Sequence, residues 1–129
     1  RSNDGSRGLG DVYKRQAIKK GILFAMKNEA KIFLPKRLHE LSIKHGLQYN
    51  RVLIKDTVSR WGSCSSRNNI NLSLRLMKLP EYLIDYVILH ELAHTVHKNH
   101  GKQFWMFLGD LCNKSKLYAK EMKKYSTSI

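Results

Sequence analysis

The sequence predicts a small α+β domain, a short antiparallel or mixed β-sheet packed against an apolar helix that carries the chemistry, with further helices flanking it. Three observations predict it. Residues 81–94 are apolar on nearly every side and carry His90-Glu91-Leu92-Ala93-His94 at their end. Ile70-Asn71-Leu72-Ser73-Leu74-Arg75-Leu76 alternates between apolar and polar residues, the period of a strand with one buried face. Ala30, Phe33, Leu34, Leu38 and Leu41 fall on one helical face, with Ile43 beside them.

The elements follow in order. Asp11-Val12-Tyr13-Lys14-Arg15-Gln16 back-translates to the transposon mosaic-end sequence used in sequencing adapters. Residues 1–16 are therefore set aside as an adapter-derived extension with no packed structure, and the domain is expected to span 17–129, the C-terminal part of a longer parent protein. Residues 18–27 read as a short helical or irregular remnant. An amphipathic helix is expected over 28–45, with Pro35 kinking it or marking its effective start, and Gly46 is its stop signal. Val52-Leu53-Ile54 reads as a strand and Ser59 to Ser65 as a second, with Arg67-Asn68-Asn69 turning the chain into the third at 70–76. Pro80 suits the first position of the apolar helix, and Glu81 complements the positive end of its dipole. A turn over 98–101 should lead to a last helix running from about 102 to 117 or beyond.

Length and composition bound the function. The chain of 129 residues has room for one small domain once the extension is removed. Asp85, His90 and Glu91 interrupt the best candidate for a membrane span. Cys64 and Cys112 make no CxxC pair, which points to a reduced, cytoplasmic protein. The formal charge is +14. Such a surface suits nucleic acid or phosphate-bearing substrates, but lysine-rich composition also arises from genome bias, and the basic stretch from Lys114 to Lys124 reads as a solvated helix face.

The histidine motif carries the chemistry. Residues four apart on a helix share a face about 6 Å apart along the axis, so His90 and His94 reach one Zn²⁺ from the same side with Glu91 beside them. Zinc acidifies water, and a neighbouring carboxylate can take its proton and pass it on. A catalytic zinc keeps one position open, so one further protein ligand is needed. His100 is the leading candidate and His97 the rival. A continued helix would rotate His100 off the metal face, so the chain must reverse, with Asn99 supplying a left-handed residue and Gly101 added freedom. His97 is then expected to face substrate, to support a ligand, or simply to end the helix. Surface histidines that bind metal by accident are the bland alternative, but burying His and Glu in so apolar a helix is costly unless they are paired or metal-bound. A structural zinc would need a fourth protein ligand, and no cysteine pair lies nearby.

Arg60-Trp61-Gly62-Ser63-Cys64-Ser65 combines a large aromatic, a glycine and small polar residues, and is expected to line the cleft beside the metal. Glycine in a strand often marks close approach by another backbone, and an edge strand can pair with an extended substrate. Arg60 would orient a carbonyl or phosphate through its forked donors, and Trp61 would pack behind the strand. Phe104, Trp105, Phe107 and Leu108 repeat at helical spacing and read as core.

Taken together, Arg60-Trp-Gly-Ser-Cys-Ser, Ile70-Asn-Leu, Tyr86-Val-Ile-Leu-His-Glu-Leu-Ala-His and Asn99-His-Gly-Lys-Gln-Phe-Trp105 resemble the YgjP-like metal-dependent hydrolase family, which is similar to SprT-like and WLM-type proteases. The resemblance covers roughly residues 28–112. It implies His90, His94 and His100 as zinc ligands, Glu91 as catalytic acid/base, and a zincin-like α+β fold. Residue 101 is Gly where members often have Ser, and Ser59 stands where Thr is common. An additional β-rich N-terminal half usual in members is missing. The resemblance implies a metallopeptidase acting on peptide or protein. A nucleoside triphosphate pyrophosphatase acting on UTP and a DNA-associated SprT-like protease module are the alternatives; the lysine excess suits the first, but no Gly-rich phosphate loop or acidic Mg²⁺ cluster accompanies it.

Overall fold

A computed structural model describes residues 5–129 of the chain, with side chains from Gly8 onward. Four α-helices and a three-stranded mixed sheet make up the described residues. The helices are α1 (Gly5–His45), α2 (Glu81–Ala93), α3 (Lys102–Leu111) and α4 (Ser115–Met122), and the strands are β1 (Arg51–Lys55), β2 (Gly62–Cys64) and β3 (Asn69–Ser73). The α+β class is as expected. No helix among the described residues is long and apolar enough to cross a membrane.

Helix α1 is longer than the sequence suggests. It runs unbroken through 18–27, and it also takes in residues 5–16, where no packed structure is expected; residues 1–4 of that segment lie outside the described residues. Every described residue from Gly8 to Ile22 is exposed, so only the C-terminal half packs. There Ala30, Leu34, Leu38 and Leu41 enter the core, and the stripe ends with them, since Ile43 is 68% exposed. Pro35 lies inside the helix and neither starts nor ends it. Burial of Leu34 and Leu38 on either side offsets the one backbone bond the ring removes. Gly46 ends the helix at φ +64°, with its N–H donating to Ile43 O and the Leu47 N–H donating to Ser42 O. Those paired bonds satisfy two of the last carbonyls.

The sheet order is β1-β3-β2, with β1 parallel and β2 antiparallel to β3. Register places Val52 and Ile54 of β1 beside Ile70 and Leu72, and places Cys64 and Gly62 beside the same two residues from the other edge. Ile70 and Leu72 are fully buried, so this is the face turned toward the helices. Leu53, Ser63 and Asn71 share the opposite face.

Three expected elements are shorter than their patterns, the first being β2, which keeps only Gly62–Cys64 of the stretch from Ser59 to Ser65. Strand β3 stops at Ser73, and Leu74–Lys78 turns into a 3₁₀ segment although its alternation continues. Ser73 is the cause: its hydroxyl donates to Thr57 O and accepts from Arg75 N–H, the local competition with the sheet ladder that serine favours. The single helix expected from 102 onward breaks at Cys112, whose backbone is extended, into α3 and α4. Gly109 lies where the two meet, and a side-chain carbon there would sit 4.0 Å from Ser115 Oγ.

Helix α2 is the centre of the packing, with Leu83, Ile84, Val87, Ile88, Leu89, and Leu92 buried. Pro80 caps it from just outside rather than forming its first turn, and its carbonyl accepts from Leu83 and Ile84 N–H. Asp85, the one charge in the middle of this helix, meets Arg37 of α1 through two parallel bonds of 2.7 Å each. The forked contact raises the already high pKa of Arg37 and fixes α1 against α2. Arg37→Met leaves Asp85 without its partner. The expected loss is about 1–2 kcal/mol, toward the low end for charged bonds because both groups keep some solvent. Urea unfolding measures it; an unchanged midpoint would mean that the fork contributes nothing.

Candidate metal centre

The site forms where α2 ends. The helix stops at Ala93, and His94 is already its C-cap, five residues before Asn99. Thr95, Val96 and His97 then donate their N–H groups back to Leu92, Ala93 and Ala93 carbonyls, curling the chain through a series of tight turns. The reversal therefore needs no left-handed residue: among the described non-glycine residues only Asn68 has positive φ, and Gly101 sits at φ −83°. The expectation for Asn99 and Gly101 fails because the turn begins earlier than they do.

This curl brings three imidazoles together. His90, His94 and His100 each offer a ring nitrogen, and the three lie within 4.8 Å of one another. His94 is 7% exposed, His90 half-buried, and His100 open to solvent. His94 Nδ1 lies 2.9 Å from the His97 carbonyl. A carbonyl oxygen only accepts, so Nδ1 carries the proton and Nε2 presents a bare lone pair. That Nε2 lies 2.9 Å from Nε2 of His100.

Aromatic side chains at the start of α3 back the cluster. Phe104, fully buried, stacks on His94 with ring centroids 4.3 Å apart and planes 22° apart. Trp105 lies along His100 at 5.7 Å and edge-on to His90 at 5.9 Å, and its indole N–H donates to His100 O. Sequence reasoning assigns both to the core. That holds for Phe104, while Trp105 is 45% exposed and faces the imidazoles. Their position four and five residues after His100 is the signal for that role.

Glu91 is 6% exposed, and its Oε2 lies 3.3 Å from His90 Nδ1. Strand β2 closes over it at Gly62. A side-chain carbon there would meet Glu91 Cγ at 3.1 Å, its Oε2 at 3.3 Å, and the Asn71 carbonyl at 3.1 Å. Glycine is what lets the strand lie against the carboxylate.

The remaining candidates separate. Trp61 is half-buried against the core and borders an apolar cavity that His90 and Glu91 also line. Arg60 and Ser63 border a different hollow, with Lys55 and Asn71. Ser63 accepts there from the Asn71 amide. The His97 ring packs on Phe107 at 5.5 Å and takes no part in the cluster, which its carbonyl instead supports. Cys64 lies apart from the imidazoles, its sulfur near Ser65 O and Lys98 Nζ.

The donor set fits a zinc-class ion held by three neutral nitrogens with one position open. Bonds of about 2.0 Å in a tetrahedron set nitrogens about 3.3 Å apart, so an ion would open the 2.9 Å contact slightly and draw in the wider separations, which reach up to 4.8 Å.

Two expectations follow. Gly62→Ala forces either the Asn71 backbone or Glu91 to move, at an expected cost of about 1–3 kcal/mol; an unchanged unfolding midpoint would show that the strand yields freely. Burial holds the His94 pKa below its ordinary value. A depressed pKa means the unfolded chain takes up this proton first, so stability is full above about pH 6.5 and declines as pH falls below it. Metal-free protein should show that decline in thermal melts, and His94→Gln should flatten it; an identical slope in the variant would contradict the assignment.

A comparison with curated protein sequences gives no match. Among solved structures, the chain is similar to the metallopeptidase zymogen abylysin of Pyrococcus abyssi, with TM-score 0.60 and 22% identity over 71% of this chain and 94% of that one. It is also similar to the metallopeptidase zymogen jannalysin of Methanocaldococcus jannaschii, with TM-score 0.54 and 25% identity over 67% and 93% of the two chains. Wss1 of Saccharomyces cerevisiae is a third, with TM-score 0.51 and 20% identity over 66% and 73%. The family described as YgjP-like, metallopeptidase domain, matches residues 3–125, and the chain belongs to it.

Proposed function

We propose that this metal-dependent peptidase is a zinc enzyme of the zincin type, with His90, His94 and His100 as ligands and Glu91 as general base and acid. The observation that carries the reading is the convergence of three imidazole nitrogens within 4.8 Å beside a buried carboxylate. His90, His94 and His100 would hold a zinc ion there, which would supply Lewis-acid polarisation of the scissile carbonyl and acidify water. Glu91 takes the proton of the attacking water and returns it to the leaving amine. Its burial and its contact with Gly62 hold the carboxylate in one place for both transfers. The Nδ1 proton of His94 is committed to the His97 carbonyl, which aims the other nitrogen at the ion.

Strand β2 is the sheet edge next to this site, paired among the described residues with β3 alone. Its free backbone groups suit hydrogen bonding to an extended polypeptide running past Glu91. In this reading Gly62 and Trp61 contact substrate, and Arg60 and Ser63 lie around the far face of the same strand. The working unit we propose is residues 17–129, because the described residues from Gly8 to Ile22 are exposed and add nothing to the core, although the family match extends to residue 3.

Zinc-loaded protein should cleave unfolded casein. Glu91→Gln should lower the rate about 10²-fold or more while retaining the metal. Metal analysis should show loss of the ion in His100→Ala and retention in His97→Ala, and the reverse pattern would overturn the ligand set. Pyrophosphate release from UTP without casein cleavage would replace the peptidase with a nucleotide hydrolase. Salt-sensitive DNA binding without any turnover would point to a binding module instead.

A further inference from the structure

Helix α4 borders the cleft, and the family match says nothing of what it does there. Ala119 and Met122 of α4 join Trp61, Tyr86 and Val87 around an apolar cavity of about 210 Å³ that opens at His90 and Glu91. Ala119 also borders the next hollow, where Trp105 meets Lys116, Lys120 and Lys123. Trp105 in turn lies against the rings of His90 and His100. The two hollows therefore adjoin, share one wall of α4, and lead from the imidazoles onto a row of lysines.

Lys116, Lys120 and Lys123 fall at i, i+4 and i+7, one helical face. All three are exposed, and none has a carboxylate partner among the described residues. Glu121, the acid within the same stretch, bonds to Tyr82 instead. Unopposed like charges on one face repel and lower helix stability slightly, so this row is not explained by helix stability. From Lys116 to Lys123 is about 10 Å along the axis, the span of about three residues of extended chain.

We infer that the cleft selects polypeptide segments in which an apolar side chain enters the Trp61–Met122 cavity while neighbouring acidic residues lie along Lys116, Lys120 and Lys123. This rests on the peptidase reading and names its substrate class. A peptide is favoured over nucleic acid because the hollow lined by His90 and Glu91 is apolar and walled by α2 and α4, with no lysine or arginine lining it. Charge complementarity then supplies selection and encounter rate more than chemistry.

The test separates the two claims by measuring binding and turnover independently. Fluorescent peptides with a central Leu pair, flanked by three Glu or by three Gln, are titrated against zinc-loaded Glu91→Gln protein. The Glu peptide should bind about 10-fold more tightly at low salt, and the gap should shrink as salt screens the lysines. The triple variant Lys116→Gln/Lys120→Gln/Lys123→Gln should abolish the gap. Met122→Trp should fill the cavity and shift the preferred central residue from Leu to Ala in peptide cleavage by protein with Glu91 intact. Equal binding of the two peptides would overturn the inference, as would tighter, lysine-dependent binding of single-stranded DNA. Charge-selective binding without cleavage of any peptide would overturn the peptidase reading alone, and cleavage indifferent to flanking charge would overturn the substrate class alone.

Discussion

His94 Nδ1 donates to the carbonyl of His97 over 2.9 Å, and the geometry of the whole site depends on that bond. It fixes the tautomer of the most buried imidazole in the cluster. It also pins the chain reversal that follows α2, since donor and acceptor lie at its two ends. Because the chain curls back there, His100 arrives beside His94 instead of continuing along a helix axis, and the first turn of α3 places Phe104 against the rings. Loss of this bond would free both the ring and the turn.

That turn functions only because α2 is held firmly upstream. The helix buries most of its circumference in the core, and the Arg37 fork answers the one charge in its middle. Polar groups at the other end of the helix are answered differently. Glu91 lies under Gly62 of an edge strand, so sheet and helix are in contact where the carboxylate is, without a side chain between them. A rigid helix and a close strand together give a carboxylate little freedom, which suits the two proton transfers proposed for Glu91.

Much of this was legible in the sequence because it is written in local periodicity. His90, Glu91 and His94 share a helical spacing, β3 announces itself through Ile70 and Leu72, and Gly46 marks the end of α1. What escaped is decided by contacts across the chain or by competition within a turn. Ser73 ends β3 by bonding to Thr57, a residue distant in sequence. The reversal after His94 relies on backbone bonds that any residue can make, so it needs no left-handed Asn99 and leaves no mark in residue type. His97 contributes its carbonyl and not its ring, which no residue type can advertise. Trp105 stands three residues before Leu108, a core spacing, and only the placement of α3 turns it toward the imidazoles.

The central claim is that three imidazoles hold one zinc-class ion and leave a position open for chemistry. Zinc-edge X-ray absorption on the stoichiometrically loaded protein tests it most directly. Three nitrogen scatterers with the multiple-scattering signature of imidazole at about 2.0–2.1 Å, plus one light oxygen atom, are the predicted result. A sulfur shell at about 2.3 Å would mean that Cys64 or Cys112 has closed the site into a structural one, and would contradict the account.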